Sequence, residues 1–423
     1  MQIADFAEAH ARLSQFYEVA ASPGGYTLER IRKLAAYLGN PQQTFRIIHV
    51  AGTSGKTSTA YFVAALLKAG GAKVGLTVSP HVDEVNERVQ IGMTPLPERQ
   101  FCDELGVYLD LVEASGVKPS YFEALTAFAF WEFARQQVDY AVVEVGLGGL
   151  LDATNIITRE DKVCVITDIG LDHTEILGDT LGAIASQKAG IIQQGNHVFM
   201  LKQPAEVLHV IERQCEKQHA PLEILNSTKP DAPWYGTLPL FQQRNFTLAR
   251  RAVRYVLARD ARPALTSTQL RQAAAQIIPA RMEQFSLANK TVILDGAHNA
   301  QKIGALRTSI RQRFPDQRVA VLAAFVSGKD EQRWQQALSE LLRLSRNLII
   351  TSFASAQDFP KTSVNPHRIA TFCHQQGVTP AVIEDPAQAF RRLLSQPEPV
   401  LLATGSFYLL NHIRPLMQKE VKA

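Results

Sequence analysis

Phe45-Arg46-Ile47-Ile48-His49-Val50-Ala51-Gly52-Thr53-Ser54-Gly55-Lys56-Thr57-Ser58 is the stretch that decides the fold. A short apolar run enters a loop with two glycines and passes directly into a helix-period segment at 57–69. Strand, glycine loop and helix in that order are what a phosphate site needs. Glycines let backbone N–H groups turn inward, the helix N-terminus favours anionic charge, and a lysine supplies a mobile ammonium for the outer phosphates. Gly52, Thr53, Ser54, Gly55 and Lys56 are therefore candidate nucleotide-binding residues, and Thr57 or Ser58 can offer a hydroxyl to Mg²⁺. The spacing departs from the usual G-x-x-x-x-G-K-[ST], because Val50 stands where the first glycine would be. A capped glycine turn without a ligand is the alternative; the flanking strand and helix weigh against it.

The same alternation continues on both sides. Strands are expected at 45–50, 73–77, 140–145, 162–167 and 197–201, and helices at 57–69, 99–114, 122–135 and 181–192. The strands are continuous apolar runs, the mark of a parallel sheet covered on both faces. Residues 227–240 break the pattern with Pro, Asp and Gly, and helical stretches follow at 242–257 and 267–277. A second series then opens, with strands at 292–294, 318–325, 347–351 and 400–403 and helices at 301–313, 331–344, 386–394 and 407–417. The expectation is two α/β domains, residues 1–283 and the smaller 287–423.

Composition narrows the function. Of 423 residues, 44 are Lys or Arg and 40 are Asp or Glu, a balance of +4 that gives no reason to expect a nucleic-acid partner. The basic run at 311–318 is short and reads as a solvated helix end. No apolar run approaches the ~18 residues of a membrane span, and the first residues lack a signal-peptide layout. Cys102, Cys164, Cys215 and Cys373 are scattered, so neither a disulfide framework nor a zinc site is expected, and a cytoplasmic location fits.

Two further segments carry chemistry. Glu144-Val145-Gly146-Leu147-Gly148-Gly149 puts a carboxylate at the carboxyl end of an apolar strand, the edge where doubly wound sheets place ligands. A carboxylate there is costly unless paired or metal-bound, and the glycines permit close ligand approach. Asp168-Ile169-Gly170-Leu171-Asp172-His173-Thr174 repeats the arrangement after the strand at 162–167. Lys188, near a helix C-terminus, reads from its position alone as a capping charge.

In order along the chain, these pieces resemble the folylpolyglutamate synthase/dihydrofolate synthase family of the Mur ligase superfamily. The resemblance is carried by His49 to Lys56, Ser79-Pro80-His81, Tyr121-Phe122-Glu123, Glu144 to Gly149, Leu151-Asp152-Ala153-Thr154-Asn155, Leu171 to Thr174, Lys188-Ala189-Gly190-Ile191, Leu294 to Asn299 and Thr404-Gly405-Ser406. It implies a P-loop first domain with a mostly parallel sheet and a smaller Rossmann-like second domain. Gly52 to Ser58, Asn245, Arg281, Asp295 and His298 would bind ATP; Ser79, Glu144 and His173 would hold one or two Mg²⁺. Lys188 would be carbamylated and join the metal set, while Tyr121, Phe122, Glu123, Asp152, Ala153, Thr154 and Asn155 would line the pterin-side pocket. Lys56, Lys188, His173 and Arg281 would be the catalytic group. The implied reaction is ATP-dependent ligation of L-glutamate to a folate, or to dihydropteroate, through an acyl phosphate, in a monomer.

The chain departs from the family pattern at several positions. Ser54 and Thr57 replace the Asn and Gly of G-T-N-G-K-G-S, Leu150 replaces the Arg of G-G-R-L-D-A-T-N, Ala280 replaces a Gly before Arg281, and Ala300 replaces a Pro after Asn299. These differences bear on the substrate more than on the reaction. Two alternatives accompany the folate ligase: a Mur-ligase-like enzyme acting on another carboxylate, and a nucleotide-hydrolysing switch that joins nothing.

Overall fold

Ile47, Ile48, Val50 and Ala51 are all buried, so the strand before the glycine loop must lie inside its sheet. The computed structural model, which describes residues 2–17, 27–226, 233–328, 331–355 and 360–422, places it there. The first sheet comprises β1 (Arg46–Ala51), β2 (Val74–Thr77), β3 (Gln90–Ile91), β4 (Thr94–Pro95), β5 (Tyr140–Glu144), β6 (Val163–Ile166), β7 (His197–Leu201) and β8 (Leu222–Leu225). Their order is β4-β3-β2-β5-β1-β6-β7-β8. Pairing is parallel from β2 to β8, and β3 and β4 add an antiparallel edge. In register, Val50 lies opposite both Glu144 and Val165, so the phosphate-loop strand ends between the two segments singled out above.

Helices α1 (Phe6–Ser14), α2 (Glu29–Tyr37), α3 (Lys56–Ala69), α4 (Glu98–Ser115), α5 (Tyr121–Arg135), α6 (Thr174–Leu177), α7 (Leu181–Ala189), α8 (Ala205–Lys217), α9 (Leu240–Arg259) and α10 (Ser267–Ala274) accompany this sheet. In α3 every residue from Thr57 to Leu67 is buried, so it has no polar stripe and cannot be a surface helix. The Phe62 ring meets Phe246 of α9 edge-on at 5.2 Å, tying the two helices together. Burying such a ring is worth about 1.5–3 kcal/mol.

A second sheet holds β9 (Glu283–Leu287), β10 (Lys290–Leu294), β11 (Val319–Ala323) and β12 (Asn347–Ile350), while β13 (Ala354–Ser355) and β14 (Lys361–Thr362) form a separate ribbon. With β15 (Ala381–Val382) and β16 (Val400–Thr404) its order is β15-β12-β11-β16-β10-β9, parallel except for β9. Its helices are α11 (Ala300–Arg313), α12 (Glu331–Leu342), α13 (Pro366–Gln375), α14 (Pro386–Leu394) and α15 (Phe407–Lys422). The chain divides into two compact units, Met1–Leu238 with Gln242–Gln276, and Pro239–Phe241 with Ile277–Ala423.

Each strand and helix expected from the apolar pattern has its counterpart, with ends shifted by a few residues. Of the break at 227–240, residues 227–232 lie outside the described residues; Pro233–Thr237 is a 3₁₀ turn. Several elements went unforeseen. β3, β4 and β15 are too short, at two residues each, to show a period. α8 was legible: Val207, Ile211 and Cys215 recur every four residues and are the ones buried.

Candidate active site

Gly52 and Gly55 are required by their surroundings. Gly52 has φ +152, and a Cβ there would lie 1.8 Å from Thr167 Oγ1. Gly55 has φ +91, and a Cβ would lie 2.5 Å from Asn245 Oδ1. Asn245, buried on α9, is thus packed directly against the loop. α3 begins at Lys56, so the first-turn amides of Lys56, Thr57 and Ser58 stand at its positive end. The inward-turning amides are fewer than the sequence suggested: Thr53 and Ser54 N–H both donate to the Asp168 carbonyl, at 2.8 and 3.1 Å.

At the end of β5 the buried Glu144 carboxylate collects groups from two other elements. Thr57 Oγ1 donates to its Oε1 at 2.9 Å, and the Ser79 amide donates to its Oε2 at 3.2 Å. A buried carboxylate with the Thr57 hydroxyl against it supplies hard oxygen donors of the kind Mg²⁺ takes, and the Ser79 backbone is held beside them. Among the described residues no three His, Cys, Asp or Glu side chains cluster as metal ligands. His173 is N-cap of α6, half-exposed, at φ +51, with Nδ1 3.8 Å from Glu175. The structure brings Thr57, Ser79 and Glu144 together.

The glycines after Glu144 meet two other candidate groups. A Cβ on Gly146 would strike the Phe122 ring at 2.5 Å, and one on Gly149 would strike the Gln187 carbonyl at 2.7 Å and Lys188 Cα at 3.2 Å. Lys188 itself is buried in the last turn of α7, and the Leu150 amide donates to Gln187 O at 2.7 Å. Asp152 turns inward: it accepts from the Leu147 and Thr154 amides at 2.8 and 3.0 Å and from the Thr154 hydroxyl. Burial nevertheless pushes its carboxyl above the usual range. Thr154 Oγ1 also lies 2.8 Å from Nε2 of the buried His49. Asn155 donates to Leu150 O and Gly190 O, both at 3.0 Å. Ala153 begins the short 3₁₀ turn that carries these residues. Tyr121 is buried with its ring 5.0 Å from Tyr17, and Glu123 closes a capping box with Ser120 while pairing with Arg30 at 3.1 Å. Asp152, Thr154, Asn155 and Glu123 thus spend these bonds holding the loops in place. Leu150 and Leu151, each 44% exposed, line a cleft of about 650 Å³ together with Leu28, Arg32, Gln193 and Lys217.

In the second unit, Asp295 accepts from the Met282 and Ala297 amides at 2.7 and 2.8 Å. Burial pushes its carboxyl up to about 6, against the pull of Arg281 and those amides. His298 has Nδ1 2.8 Å from Gly296 O and Nε2 3.1 Å from Lys302 Nζ, so Nδ1 carries the proton and Nε2 accepts. Arg281 lies over the Phe407 ring at 4.1 Å. Ala280 sits at φ +54, which explains the glycine usual at that position. Ala280→Gly should raise stability by about 1 kcal/mol, because left-handed backbone costs a Cβ-bearing residue roughly 1–2 kcal/mol. Urea unfolding of the two proteins reads this directly; an unchanged or lower midpoint would mean the turn carries no strain.

Known proteins resemble the chain over both of its units. The Mur ligase middle domain matches residues 50–237, and the Mur ligase glutamate ligase domain matches residues 280–407. The dihydrofolate synthase/folylpolyglutamate synthase of Bacillus subtilis is 30% identical, covering 96% of this chain and 96% of that protein. The chain belongs to the folylpolyglutamate synthase/dihydrofolate synthase family. The folylpolyglutamate synthase of Lacticaseibacillus casei is 35% identical over 71% of this chain and 76% of its own. The crystal structure of the Mycobacterium tuberculosis folylpolyglutamate synthase, complexed with ADP and AMPPCP, superposes with a TM-score of 0.83 at 26% identity, covering 97% of this chain and 98% of that one. Like its family, the chain is an ATP-dependent ligase that joins glutamate to a folate. The nucleotide-hydrolysing switch falls with the ligase domain match at 280–407. The sequence singles out the segment that Asp168 opens but not the role of its carbonyl, which takes two loop amides; nothing local marks a backbone acceptor that far along the chain.

Proposed function

We propose that the reaction proceeds through a folyl acyl phosphate, with the residues 52–58 loop, Glu144 and Lys188 as its centre. A carboxylate oxygen is a poor leaving group. In the proposed course the ATP γ-phosphoryl moves to a substrate carboxylate, breaking its bond to ADP. The neutral amine of L-glutamate then attacks the acyl carbon, the C–O bond to phosphate breaks, and the proton lost by the nitrogen leaves with the phosphate as HPO₄²⁻. The observation that carries the reading is Glu144, which collects the Thr57 hydroxyl and the Ser79 amide beside the phosphate loop.

Thr57, Ser79 and Glu144, with His173, are the proposed holders of Mg²⁺, which when bound neutralises phosphate charge. The chain's own groups do the rest. Lys56 and the first-turn amides of α3 bind the phosphates, and Asn245 shapes the loop at Gly55. Arg281, Asp295 and His298 are proposed as the second unit's nucleotide contacts. Tyr121 to Glu123 and Asp152 to Asn155 shape the substrate side by fixing the loops around Gly146 and Leu150. Purified protein incubated with ATP, glutamate and a reduced folate should release ADP only when all three are present, with a product one glutamyl residue heavier. ADP release independent of glutamate would overturn the reading; a dihydropteroate arm decides whether the dihydrofolate synthase reaction also occurs.

Leu150 tests the substrate. Its backbone is fixed by Gln187 and Asn155, so a new side chain there changes the cleft without moving the loop. Leu150→Arg would add a guanidinium to a cleft that already holds Arg32 and Lys217. One charge-assisted contact is worth about 1.5–3 kcal/mol. The KM for a folate or for glutamate should therefore fall roughly tenfold or more, with the KM for ATP unchanged. Loss of activity in a folded variant would mean that the cleft cannot take a cation at residue 150 and that the missing guanidinium is no lost substrate contact.

A further inference from the structure

The phosphate loop does not hold its own shape. Beyond the two amides that donate to Asp168, Thr53 Oγ1 donates to Gly170 O at 3.0 Å and accepts from Gly170 N–H at 3.1 Å. Thr167 fills the space where Gly52 has no side chain. Residues 167–170 thus splint one wall of the loop. The splint is held in turn from two sides. Buried Gln203, just beyond β7, accepts from the Ile169 amide at 2.8 Å and donates to Thr167 O at 2.9 Å. Asp168 Oδ1 accepts from Arg244 Nη2 of α9 at 2.7 Å.

Arg244 precedes Asn245, so two consecutive residues of α9 grip the loop. Asn245 does so directly at Gly55, and Arg244 does so by way of Asp168 at Thr53 and Ser54. We propose that Arg244 is a positioning residue for the nucleotide phosphates, acting through Asp168 on the amides of Thr53 and Ser54. This rests on the assignment of residues 52–58 as the nucleotide loop. The Arg244–Asp168 pair is 39% and 32% exposed, and such pairs contribute little to folding stability. What the pair fixes is orientation. The Asp168 carboxylate and the carbonyl that takes the loop amides belong to one residue, so freeing the first loosens the second, and phosphate binding is sensitive to displacements of this kind.

The test uses the full chain and ADP as the probe, with binding measured by calorimetry and KM measured separately for ATP, folate and glutamate. Arg244→Met keeps the aliphatic stem and removes the charge. It should weaken ADP binding and raise the ATP KM about tenfold, short of the ~100-fold that a full 1 Å misplacement costs. Folate and glutamate KM values and the Tm should stay put. Arg244→Lys should recover most of the loss, Asp168→Asn should match Arg244→Met, and the double variant should be no worse than either single one. Unchanged ADP binding in Arg244→Met would overturn the proposal. So would a general rise in all three KM values with a fall in Tm, which marks an ordinary structural pair. Normal ADP binding in Asp168→Asn would also overturn it, since Arg244 would then act without Asp168. Lys56→Ala is the control: if it too leaves ADP binding intact, the loop assignment itself has failed.

Discussion

Lys56→Ala should lower kcat by roughly 10²–10³-fold while the protein stays folded. Lys56 opens α3 directly after Gly55, whose φ of +91 and contact with Asn245 fix the direction in which the helix leaves the loop. Its ammonium would sit where negative charge is transferred, and removing one such stabilising group typically costs about 3–4 kcal/mol of transition-state free energy. The side chain is only half-buried, whereas the helix is anchored by eleven buried residues from Thr57 to Leu67, so truncation leaves the packing intact. Steady-state kinetics beside a thermal melt separate the two effects. Turnover near the parent value with an unchanged melt would remove Lys56 from the phosphate site.

Much of this architecture is legible in the sequence because parallel strands buried on both faces leave uninterrupted apolar runs. His197–Leu201 and Pro386–Leu394 fall at the residues expected of them. The glycine loop is legible for a related reason: Gly52 and Gly55 meet side chains so closely that no other residue fits. What resists reading is long-range. Nothing near Glu144 says that its two oxygens meet Thr57 and Ser79, 87 and 65 residues away. Asp152 and Asn155 show the converse. A family motif marks them as substrate residues, yet their polar atoms bond to Leu147, Thr154, Leu150 and Gly190. A motif records that a residue matters and is silent on whether it touches the substrate or holds the loop that does.

Lys188→Ala should likewise abolish ligation, by on the order of 10²-fold or more, and short carboxylic acids should restore part of the loss. Position alone makes Lys188 a helix-capping charge, but a capping lysine keeps its head in water, and this one is buried at 4% exposure. Its turn is also fixed from outside: Leu150 N–H takes the Gln187 carbonyl, and Gly149 is a glycine because Gln187 and Lys188 lie against it. Such anchoring suits a side chain whose end must hold one place. Attack of the neutral amine on CO₂, with loss of a proton, forms a C–N bond and turns a cation into a carboxylate able to bind a metal. ¹³C-labelled bicarbonate should therefore give a carbamate resonance in the parent that Lys188→Ala lacks, at neutral or alkaline pH, since acid decomposes carbamates. Removing CO₂ should lower activity and adding bicarbonate should restore it, with acetate or formate replacing the lost carboxylate only in Lys188→Ala. An unlabelled, fully active parent would return Lys188 to the role of a buried structural cation. The centre would then rest on Thr57, Ser79 and Glu144, and full activity of Lys188→Ala would agree with that.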